Sequence, residues 1–414
     1  MSNAPNLNLK ILELADHCVK CGLCSSQCPT YRIKQDENES PRGRIALAQA
    51  LASNAIPAGD KISSHFDNCL QCRQCEVSCP SEVKYGELIK LSQELLFQKK
   101  TKKQRLKVFI INTISTLSDK NWQKIEILRV ILKYTQLLQL LRLSKTGRLL
   151  HQTLSNTSSK KSRHGTTTPL LKKERVFLFT GCLSHILDQQ SLQACIGLLE
   201  HCGYSVNTPG NQACCGAIAS RHGLSEIEQQ CQINNQSAFT DPNNNPVIFF
   251  TTGCGSKLKE YKNQLPSNIE FSARTISITD FLINSPLFAQ LKFSTLKKKV
   301  LVFNPCSEKN ALRQTGISEK LLARIPGIEI VSLPSNTGCC GASGSHFITH
   351  KQQAEQIRQP ILEQITLLSP DFIVSPNYPC NLHIHAGLKE KNLDIPMIHP
   401  IELLFNQIKY SRAI

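Results

Sequence analysis

Two short stretches that each contain four cysteines constrain this chain more than any other part of its sequence. Residues 18–29 read CVKCGLCSSQCP and residues 69–80 read CLQCRQCEVSCP, so both follow the pattern CxxCxxCxxxCP. Thiols separated by two residues on a tight turn can reach one metal centre from a single short loop. Pro29 and Pro80 lack an N–H group and cannot continue a helix, so we expect each proline to end its loop.

The cysteine content as a whole indicates metal binding rather than disulfide bonding. The 414 residues contain 19 cysteines, an odd number, and many of these cluster at gaps of two or three residues. Disulfide scaffolds are typical of short secreted chains. The sequence begins MSNAPNLNLKILELADHC, without a basic region ahead of an apolar core, and no run reaches the ~18 apolar residues of a membrane-spanning helix. We therefore expect a protein of the reducing cytoplasm.

The spacing within the two stretches predicts two [4Fe–4S] clusters. In bacterial two-cluster ferredoxins, the fourth cysteine of each run ligates the other cluster. Applied to this chain, that arrangement assigns one cluster to Cys18, Cys21, Cys24 and Cys79, and the second cluster to Cys69, Cys72, Cys75 and Cys28. A pair of structural zinc sites is the alternative, but zinc sites favour two separated pairs of ligands.

The segment between the two stretches predicts a helix. Residues 41–54 read PRGRIALAQALASN, which starts with proline and places apolar residues at helical spacing. We therefore expect a mostly helical ferredoxin domain. Arg42 and Arg44, near the start of that helix, either offset the negative charge of a thiolate-bound cluster or are solvated.

The remaining chemistry-bearing cysteines form an internal repeat. One cysteine, a CCG motif and a further cysteine occur twice in the same order, with offsets of 124, 125 and 126 residues between equivalents. We call the members of the first copy the first thiol set and those of the second copy the second thiol set. The first thiol set is Cys182, Cys214, Cys215 and Cys254, and the second thiol set is Cys306, Cys339, Cys340 and Cys380.

The sequence around each thiol set predicts a parallel sheet covered by helices. RVFLFTGC and KVLVFNPC are apolar, β-rich runs that end at the first cysteine of each copy, and NPVIFFTTGC and PDFIVSPNYPC end at the last. Helical patterns such as SLQACIGLLEHC and ISEKLLARI lie between these runs. In such folds the ligand sites lie off the carboxyl ends of the strands, where these cysteines are expected.

Adjacent cysteines can bind one centre only if the backbone turns sharply. Gly216 and Gly341, which follow the paired cysteines, would permit that turn. The alternative is a buried apolar pair, since free cysteine packs as a small hydrophobe. Cys195, Cys202 and Cys231 have no counterpart in the other copy, so we interpret them as core residues.

The motifs together resemble those of the iron–sulfur subunit of bacterial glycolate oxidase. The resemblance includes CPTYR, SPRGRI, CLQCRQCEVSCPS, ACCGA, TGCGSKLKEY and TGCCGASGS; it covers about residues 16–404 and is weak between about 105 and 170. It implies that the chain passes electrons toward a respiratory quinone or another respiratory acceptor. The electrons would come from FAD-containing partner subunits that oxidise glycolate to glyoxylate, so FAD is expected only on those subunits.

The CCG motifs also resemble those of heterodisulfide reductase, in which the last element is CxxC and five thiolates bind a cluster. TGCGSK and YPCNLH keep a single cysteine each, so the fifth ligand is absent. Each copy then has a four-thiol site, which either binds a further iron–sulfur cluster or binds none.

The sequence favours an electron carrier over a dehydrogenase, because no GxGxxG motif follows a strand and no phosphate loop is present. Two alternatives remain open. One is a thiol redox enzyme whose CCG domains themselves reduce a disulfide or a quinone, as in heterodisulfide reductase. The other is the corresponding subunit of a glycerol-3-phosphate or lactate dehydrogenase.

The basic charge is concentrated in one segment. Residues 99–175 contain 19 Lys and Arg against 3 acidic residues, which accounts for +16 of the net charge of +17. Apolar residues recur between Trp122 and Leu141 at roughly helical spacing. A basic amphipathic helix suits the anionic inner face of the cell membrane. A helical spacer that packs on the partner flavoprotein is the alternative, whereas nucleic acid is disfavoured because few aromatic side chains could stack on bases.

These observations predict an α+β multidomain protein. We expect a helical ferredoxin domain at residues 1–100, a basic helical linker at 101–172, and two repeated α/β cysteine-rich domains at 173–295 and 296–414.

Overall fold

The structure is a computed structural model that describes residues 7–102, 104–106, 108–109, 174–182, 188–263, 268–334 and 337–409. Most of the basic segment, at residues 110–173, lies outside the described residues, and so does the amphipathic pattern predicted there.

The N-terminal part is helical, as the sequence predicts. Its central helix begins at Pro41, where the Ser40 hydroxyl accepts a hydrogen bond from the Gly43 N–H group and caps the first turn. Ile45 and Leu51 on this helix pack into a core with residues from the other helices. The helices are α1 (Leu7–Asp16), α2 (Pro29–Lys34), α3 (Pro41–Ala52), α4 (Asp60–Asp67), α5 (Gln74–Val77) and α6 (Tyr85–Gln98), with a 3₁₀ turn at Glu37–Glu39.

Two four-stranded parallel sheets follow, and their topology is the same. The strand orders are β2-β1-β3-β4 and β6-β5-β7-β8, so the repeat seen in the cysteine spacing is also a repeat of the fold. The strands of the first sheet are β1 (Arg175–Phe179), β2 (Ser205–Asn207), β3 (Val247–Phe249) and β4 (Thr275–Ser277). The strands of the second sheet are β5 (Lys299–Val302), β6 (Glu329–Ser332), β7 (Phe372–Val374) and β8 (Met397–Ile398).

Helices connect and cover these strands, which explains why a central strand such as β3 is apolar and buried along its whole length. Around the first sheet the helices are Gln189–His201, Ala217–Arg221, Ser225–Ala238, Thr252–Glu260, Asn268–Arg274, Ile278–Ile283 and Pro286–Ala289, with a 3₁₀ turn at Tyr261–Asn263. Around the second sheet they are Ile317–Leu322, His346–Thr349, Lys351–Leu368, Tyr378–Glu390 and Pro400–Asn406, with a π-helical turn at Ser307–Ala311.

The two repeated units share one apolar core. Helix Gln189–His201 of the first unit packs against helix Pro400–Asn406 of the second, and the core between them includes Leu198 and Leu404. The Thr252 N–H group also donates to the Pro376 carbonyl oxygen at 2.9 Å, which joins the two carboxyl edges. The thiol sets of the two units are therefore held in a fixed relation.

One detail differs from the sequence-based expectation. The strands β3 and β7 do not run to the last cysteine of each thiol set but end at Phe249 and Val374. Cys254 and Cys380 instead lie in the first turns of the helices Thr252–Glu260 and Tyr378–Glu390. The chain turns from strand to helix at the sheet edge, and this turn brings both thiols toward their CCG loops.

None of the described helices is both long enough and apolar enough to span a bilayer.

Candidate metal centres

Five of the eight N-terminal cysteines line a first cavity, with an empty volume of about 420 Å³ that includes open solvent. Cys21 is exposed at its rim, between the exposed side chains of Val19 and Leu23. The cysteines that line this cavity are Cys18, Cys21, Cys24, Cys75 and Cys79, of which Cys75 also lines the second cavity described below. Cys79 comes from the second cysteine stretch, so both stretches contribute to this one cavity.

Four cysteines line a second cavity with an empty volume of about 300 Å³. Its thiols are Cys28, Cys69, Cys72 and Cys75. Cys28 reaches it from the first stretch because the chain enters helix α2 directly after that residue. The fourth cysteine of each stretch therefore lies with the first three of the other.

The donor set and the size of these cavities fit polynuclear clusters. Thiolates are the ligands of [4Fe–4S] clusters, and each cavity is lined by at least four cysteines. Within the described ranges, no group of three or more His, Cys, Asp or Glu side chains converges as the ligands of one metal ion do. Hydrogen bonds to sulfur also occur: the Gln71 N–H group donates to Cys69 Sγ at 3.4 Å.

A buried charge network borders the second cavity. Arg44 is fully buried, and its Nη1 atom lies 4.0 Å from Cys28 Sγ and 3.1 Å from Thr30 Oγ1. The Glu39 carboxylate, 1% exposed, accepts hydrogen bonds from Arg44 and from Asn68. Of the two alternatives for Arg44, solvation is wrong, because this side chain lines the second cavity. Arg42 lines the first cavity and remains partly exposed.

Tyr85 lies between the first and second cavities and lines both. Its hydroxyl is 3.8 Å from Cys69 Sγ. Burial raises the pKa of this phenol well above its ordinary value, so the hydroxyl stays protonated and can donate to sulfur. Sequence reasoning missed Tyr85, because a single tyrosine after a cysteine motif gives no signal of its own.

In each repeated unit the four thiols form a chain of hydrogen bonds. In the first thiol set, Cys214 Sγ lies 3.5 Å from Cys182 Sγ. In the second, Cys340 Sγ lies 2.8 Å from Cys380 Sγ, and the Asn377 side chain donates to Cys380 Sγ at 3.1 Å. The structure thus brings together the four members of each thiol set that the sequence repeat singles out.

Hydrogen bonding makes one thiol of each set more acidic than an isolated cysteine. Donation from Cys214 and Cys254 lowers the pKa of Cys215 well below its ordinary value. In the second thiol set, donation from Cys306 and Cys340 lowers the pKa of Cys339. A thiolate is the form that binds metal or attacks a disulfide, so both sets have a member suited to either chemistry.

The glycines after the paired cysteines adopt the conformation that the sequence predicts. Gly216 and Gly341 have φ values of +78° and +82°, in the left-handed region. Their N–H groups then point back at the preceding cysteines: each donates to Cys214 Sγ or Cys339 Sγ at 3.5 Å. The three unmatched cysteines are core residues, as expected: Cys195 and Cys202 lie in the core shared by the two units, and Cys231 lies in the core around the first thiol set.

Arg221 joins the three parts of the chain, which no sequence pattern indicates. Its guanidinium donates to the Cys69 carbonyl oxygen at 2.9 Å and to the Ser343 hydroxyl at 2.7 Å. It therefore fixes the loop of the second cavity against both repeated units.

Comparison with known protein families agrees with the division of the chain into a helical N-terminal part and two repeated units. The family model of the 4Fe–4S dicluster domain matches residues 14–83, and that of the cysteine-rich domain matches residues 176–259 and 300–385. The chain is thus an iron–sulfur electron-transfer protein with one dicluster domain and two cysteine-rich domains.

Relatives that match along nearly the whole chain narrow this class. The chain is 28% identical over 381 residues to the glycolate oxidase iron–sulfur subunit of Escherichia coli (strain K12), covering 89% of each protein. It is 27% identical over 413 residues to the probable glycolate oxidase iron–sulfur subunit of Bacillus subtilis (strain 168), covering 94% of this chain and 93% of that relative. Along nearly its whole length, the chain is therefore similar to the iron–sulfur subunits of glycolate oxidases.

A relative with a different name matches a shorter part of the chain. Lactate utilization protein A of Macrococcus caseolyticus (strain JCSC5402) is 25% identical over 241 residues, which cover 57% of this chain and 98% of that relative.

Proposed function

We propose that this chain is the electron-transfer subunit of an FAD-linked glycolate dehydrogenase. In this proposal, FAD-containing partner subunits oxidise glycolate to glyoxylate, and this chain conducts the electrons toward the respiratory quinone pool. The observation that carries the proposal is the pair of adjoining cysteine-lined cavities, one of them open at Cys21 and the other buried. An exposed rim suits entry of electrons from a partner, and a buried neighbour suits conduction onward.

The ligands follow from the cavity linings. Cys18, Cys21, Cys24 and Cys79 would hold one [4Fe–4S] cluster, and Cys28, Cys69, Cys72 and Cys75 would hold the second. When bound, such clusters accept and release single electrons, which lets a two-electron flavin reaction proceed in one-electron steps. The thiol sets of the cysteine-rich domains would bind further iron–sulfur through the acidic members Cys215 and Cys339.

The protein side chains would shape the environment of the clusters. The Arg44 guanidinium provides a fixed positive charge beside Cys28, and Tyr85 provides a protonated hydroxyl beside Cys69. Leu70, packed among the second unit's core residues, helps to exclude water from the second cavity. These groups stabilise added negative charge without supplying a proton.

Glycolate specificity is supported by the two relatives that cover most of the chain, and it can be tested directly. The chain should be purified anaerobically with its FAD-containing partners, and dye reduction should be measured with glycolate, lactate and glycerol 3-phosphate. We expect the fastest reduction with glycolate and none from this chain alone. Faster reduction with lactate or glycerol 3-phosphate would assign the chain to a related dehydrogenase.

A thiol redox enzyme is the second candidate, because each thiol set contains an acidified, hydrogen-bonded cysteine. Turnover of a disulfide by the chain without any flavoprotein would support this candidate and contradict the carrier. Under the carrier proposal, Cys215→Ser and Cys340→Ser should reduce glycolate-dependent dye reduction while the dicluster iron stays unchanged. Cys195→Ala, a buried thiol outside both sets, serves as the control and should retain activity.

Membrane contact through the basic segment would place the carrier near its quinone acceptor. Each Lys or Arg near an anionic surface contributes roughly 1 kcal/mol. The complex should therefore pellet with membranes at low salt and be released at high salt. Deletion of residues 99–145 should abolish pelleting and leave the iron content unchanged; persistent pelleting would assign the attachment to a partner subunit.

A further inference from the structure

A third cavity, which we call the junction cavity, lies between the dicluster domain and the second repeated unit. Its empty volume is about 370 Å³, and its thiols are Cys72, Cys306 and Cys339. It shares Pro29, Cys72 and Gln74 with the second cavity. The second cavity in turn shares Pro41, Cys75 and Tyr85 with the first. The three cavities therefore follow one another in a single row.

The second thiol set is packed directly against the loop of the second cavity. Leu70 and Cys72 belong to the same apolar core as Cys339, Cys340 and Cys380. Polar contacts reinforce this packing.

The polar contacts come from both sides of the second thiol set. The Asn310 side chain donates to the Cys72 carbonyl oxygen at 2.8 Å and to Gln74 Oε1 at 3.2 Å. The Ser343 hydroxyl, which follows the second CCG motif, donates to the Leu70 carbonyl oxygen. Asn310 lies on the π-helical turn that begins directly after Cys306, and such turns are frequent at functional sites. Asn310 thus links Cys72, a candidate ligand in the second cavity, to the turn that follows Cys306, a candidate ligand in the second thiol set.

The first thiol set is attached differently. Among the described residues, the apolar core around it contains none from the dicluster domain. The first unit contacts the dicluster domain through ion pairs, in which Glu228 lies 2.9 Å from Lys90 and Glu260 lies 2.7 Å from Arg73, and through a separate small apolar cluster that contains Phe97 and Leu224 but none of the first thiol set. Arg221 does reach the Cys69 carbonyl oxygen, but it contributes a guanidinium rather than a thiol.

We propose that the second thiol set, rather than the first, exchanges electrons with the dicluster domain, through the contact of Cys72 with Cys306 and Cys339. This inference rests on the proposed function, since it requires an iron–sulfur centre at the second thiol set. With clusters bound, the step would move one electron and break no bond: Cys28, Cys69, Cys72 and Cys75 would hold the cluster that is oxidised, and the second thiol set would hold the centre that is reduced. Asn310 is a positioning residue for this step because it fixes the Cys72 loop beside Cys306.

Matched cysteine variants in the two units test the inference. The whole chain should be purified anaerobically without partner subunits, reduced with dithionite and examined by electron paramagnetic resonance. The signal of the second cluster is identified as the one altered by Cys69→Ser. Cys306→Ser and Cys339→Ser should remove the spin interaction of that signal with its neighbour in the second unit, seen as slower relaxation and narrower lines. The equivalents Cys182→Ser and Cys214→Ser should leave the signal unchanged.

Asn310→Ala keeps every thiol in place and guards against loss of folding in the cysteine variants. It should weaken the same interaction while the iron and acid-labile sulfide content stays at the wild-type level. An unchanged signal in all second-unit variants, or an equal or larger change in the first-unit variants, would overturn the inference. Because no glycolate or flavoprotein is present, this result is independent of whether glycolate proves to be the substrate.

Discussion

The Arg44 guanidinium lies 4.0 Å from the sulfur of Cys28, and both side chains are buried. A positive charge at this place stabilises a thiolate-bound cluster more in its reduced state, which carries one more negative charge. Glu39 offsets part of that charge, but Lys34 also pairs with Glu39, so the group as a whole remains positive. The electrostatics of the second cavity therefore differ from those of the first, where Arg42 is partly exposed to water.

We predict that Arg44→Gln lowers the midpoint potential of the second cluster, because the reduced state loses its neighbouring charge. Arg44→Lys keeps the charge and should stay closer to the wild type. Redox titration monitored by electron paramagnetic resonance measures both. Arg42→Gln is the matched control, since it should shift the first cluster instead. An unchanged potential in Arg44→Gln that still holds both clusters would contradict the prediction.

The buried carboxylate of Glu228 should be essential for stability. It lies 2.5 Å from Lys257 Nζ and 2.9 Å from Lys90 Nζ, with 1% of its side chain exposed. Glu228→Gln removes the nearest counter-charge of both ammonium groups and leaves Lys257 paired only with Glu260, at 3.4 Å, which should cost about 3 kcal/mol of unfolding free energy. Chemical denaturation under anaerobic conditions measures this loss. The surface pair of Lys389 and Asp394 provides the control, since Asp394→Asn removes a solvent-exposed charge and should change stability little.

The turn after the second CCG motif should not tolerate a side chain. Gly341 has φ +82°, and a Cβ atom there would lie 2.8 Å from the Ala354 carbonyl oxygen. The left-handed conformation alone costs about 1–2 kcal/mol for alanine, and the contact adds to it. Gly216→Ala has the same φ penalty without a close contact, and Gly210→Ala has neither. We therefore expect the largest loss of thermal stability in Gly341→Ala and the smallest in Gly210→Ala; equal losses would be inconsistent with this geometry.

The contact that His399 makes between the two repeated units should weaken at low pH. Its Nε2–H group donates to the Phe250 carbonyl oxygen at 2.8 Å, and its Nδ1 atom accepts from the Ile401 N–H group, which requires a neutral ring. Burial lowers the pKa of His399 from 6.5 to about 4. The unfolded chain therefore binds the proton more readily, so this contribution is complete above pH 6.5 and is lost as the pH falls toward 4.

This linkage between protonation and folding predicts that the free energy of unfolding differs between two pH values. The wild type should lose about 1 kcal/mol of unfolding free energy from His399 alone between pH 7.5 and pH 5.5. His399→Asn should lose correspondingly less over the same interval. Thermal unfolding at the two pH values measures the difference; an identical pH response in His399→Asn and the wild type would contradict the linkage.

Many structural features of this protein are determined by local patterns in its sequence. The repeated CxxCxxCxxxCP pattern predicts four-thiol sites because short loops can present cysteines only to a nearby centre. The constant offset between CCG motifs predicts two copies of one sheet, and the identical strand orders confirm it. Gly216 and Gly341 were predictable for a similar reason, since only glycine enters the left-handed region without a steric penalty. The assignment of each cysteine to its cluster remains a prediction.

Tertiary structure decided which of these local sites lie together. Whether Arg44 is solvated or buried depends on Glu39 and on the Thr30 hydroxyl, which reach it from other elements. The junction of Cys72 with Cys339 joins residues more than two hundred positions apart, and it arises because one face of the second unit packs against the dicluster loop. Sequence periodicity records which face of an element is apolar, but not which other apolar face covers it, because burial of apolar area has no direction.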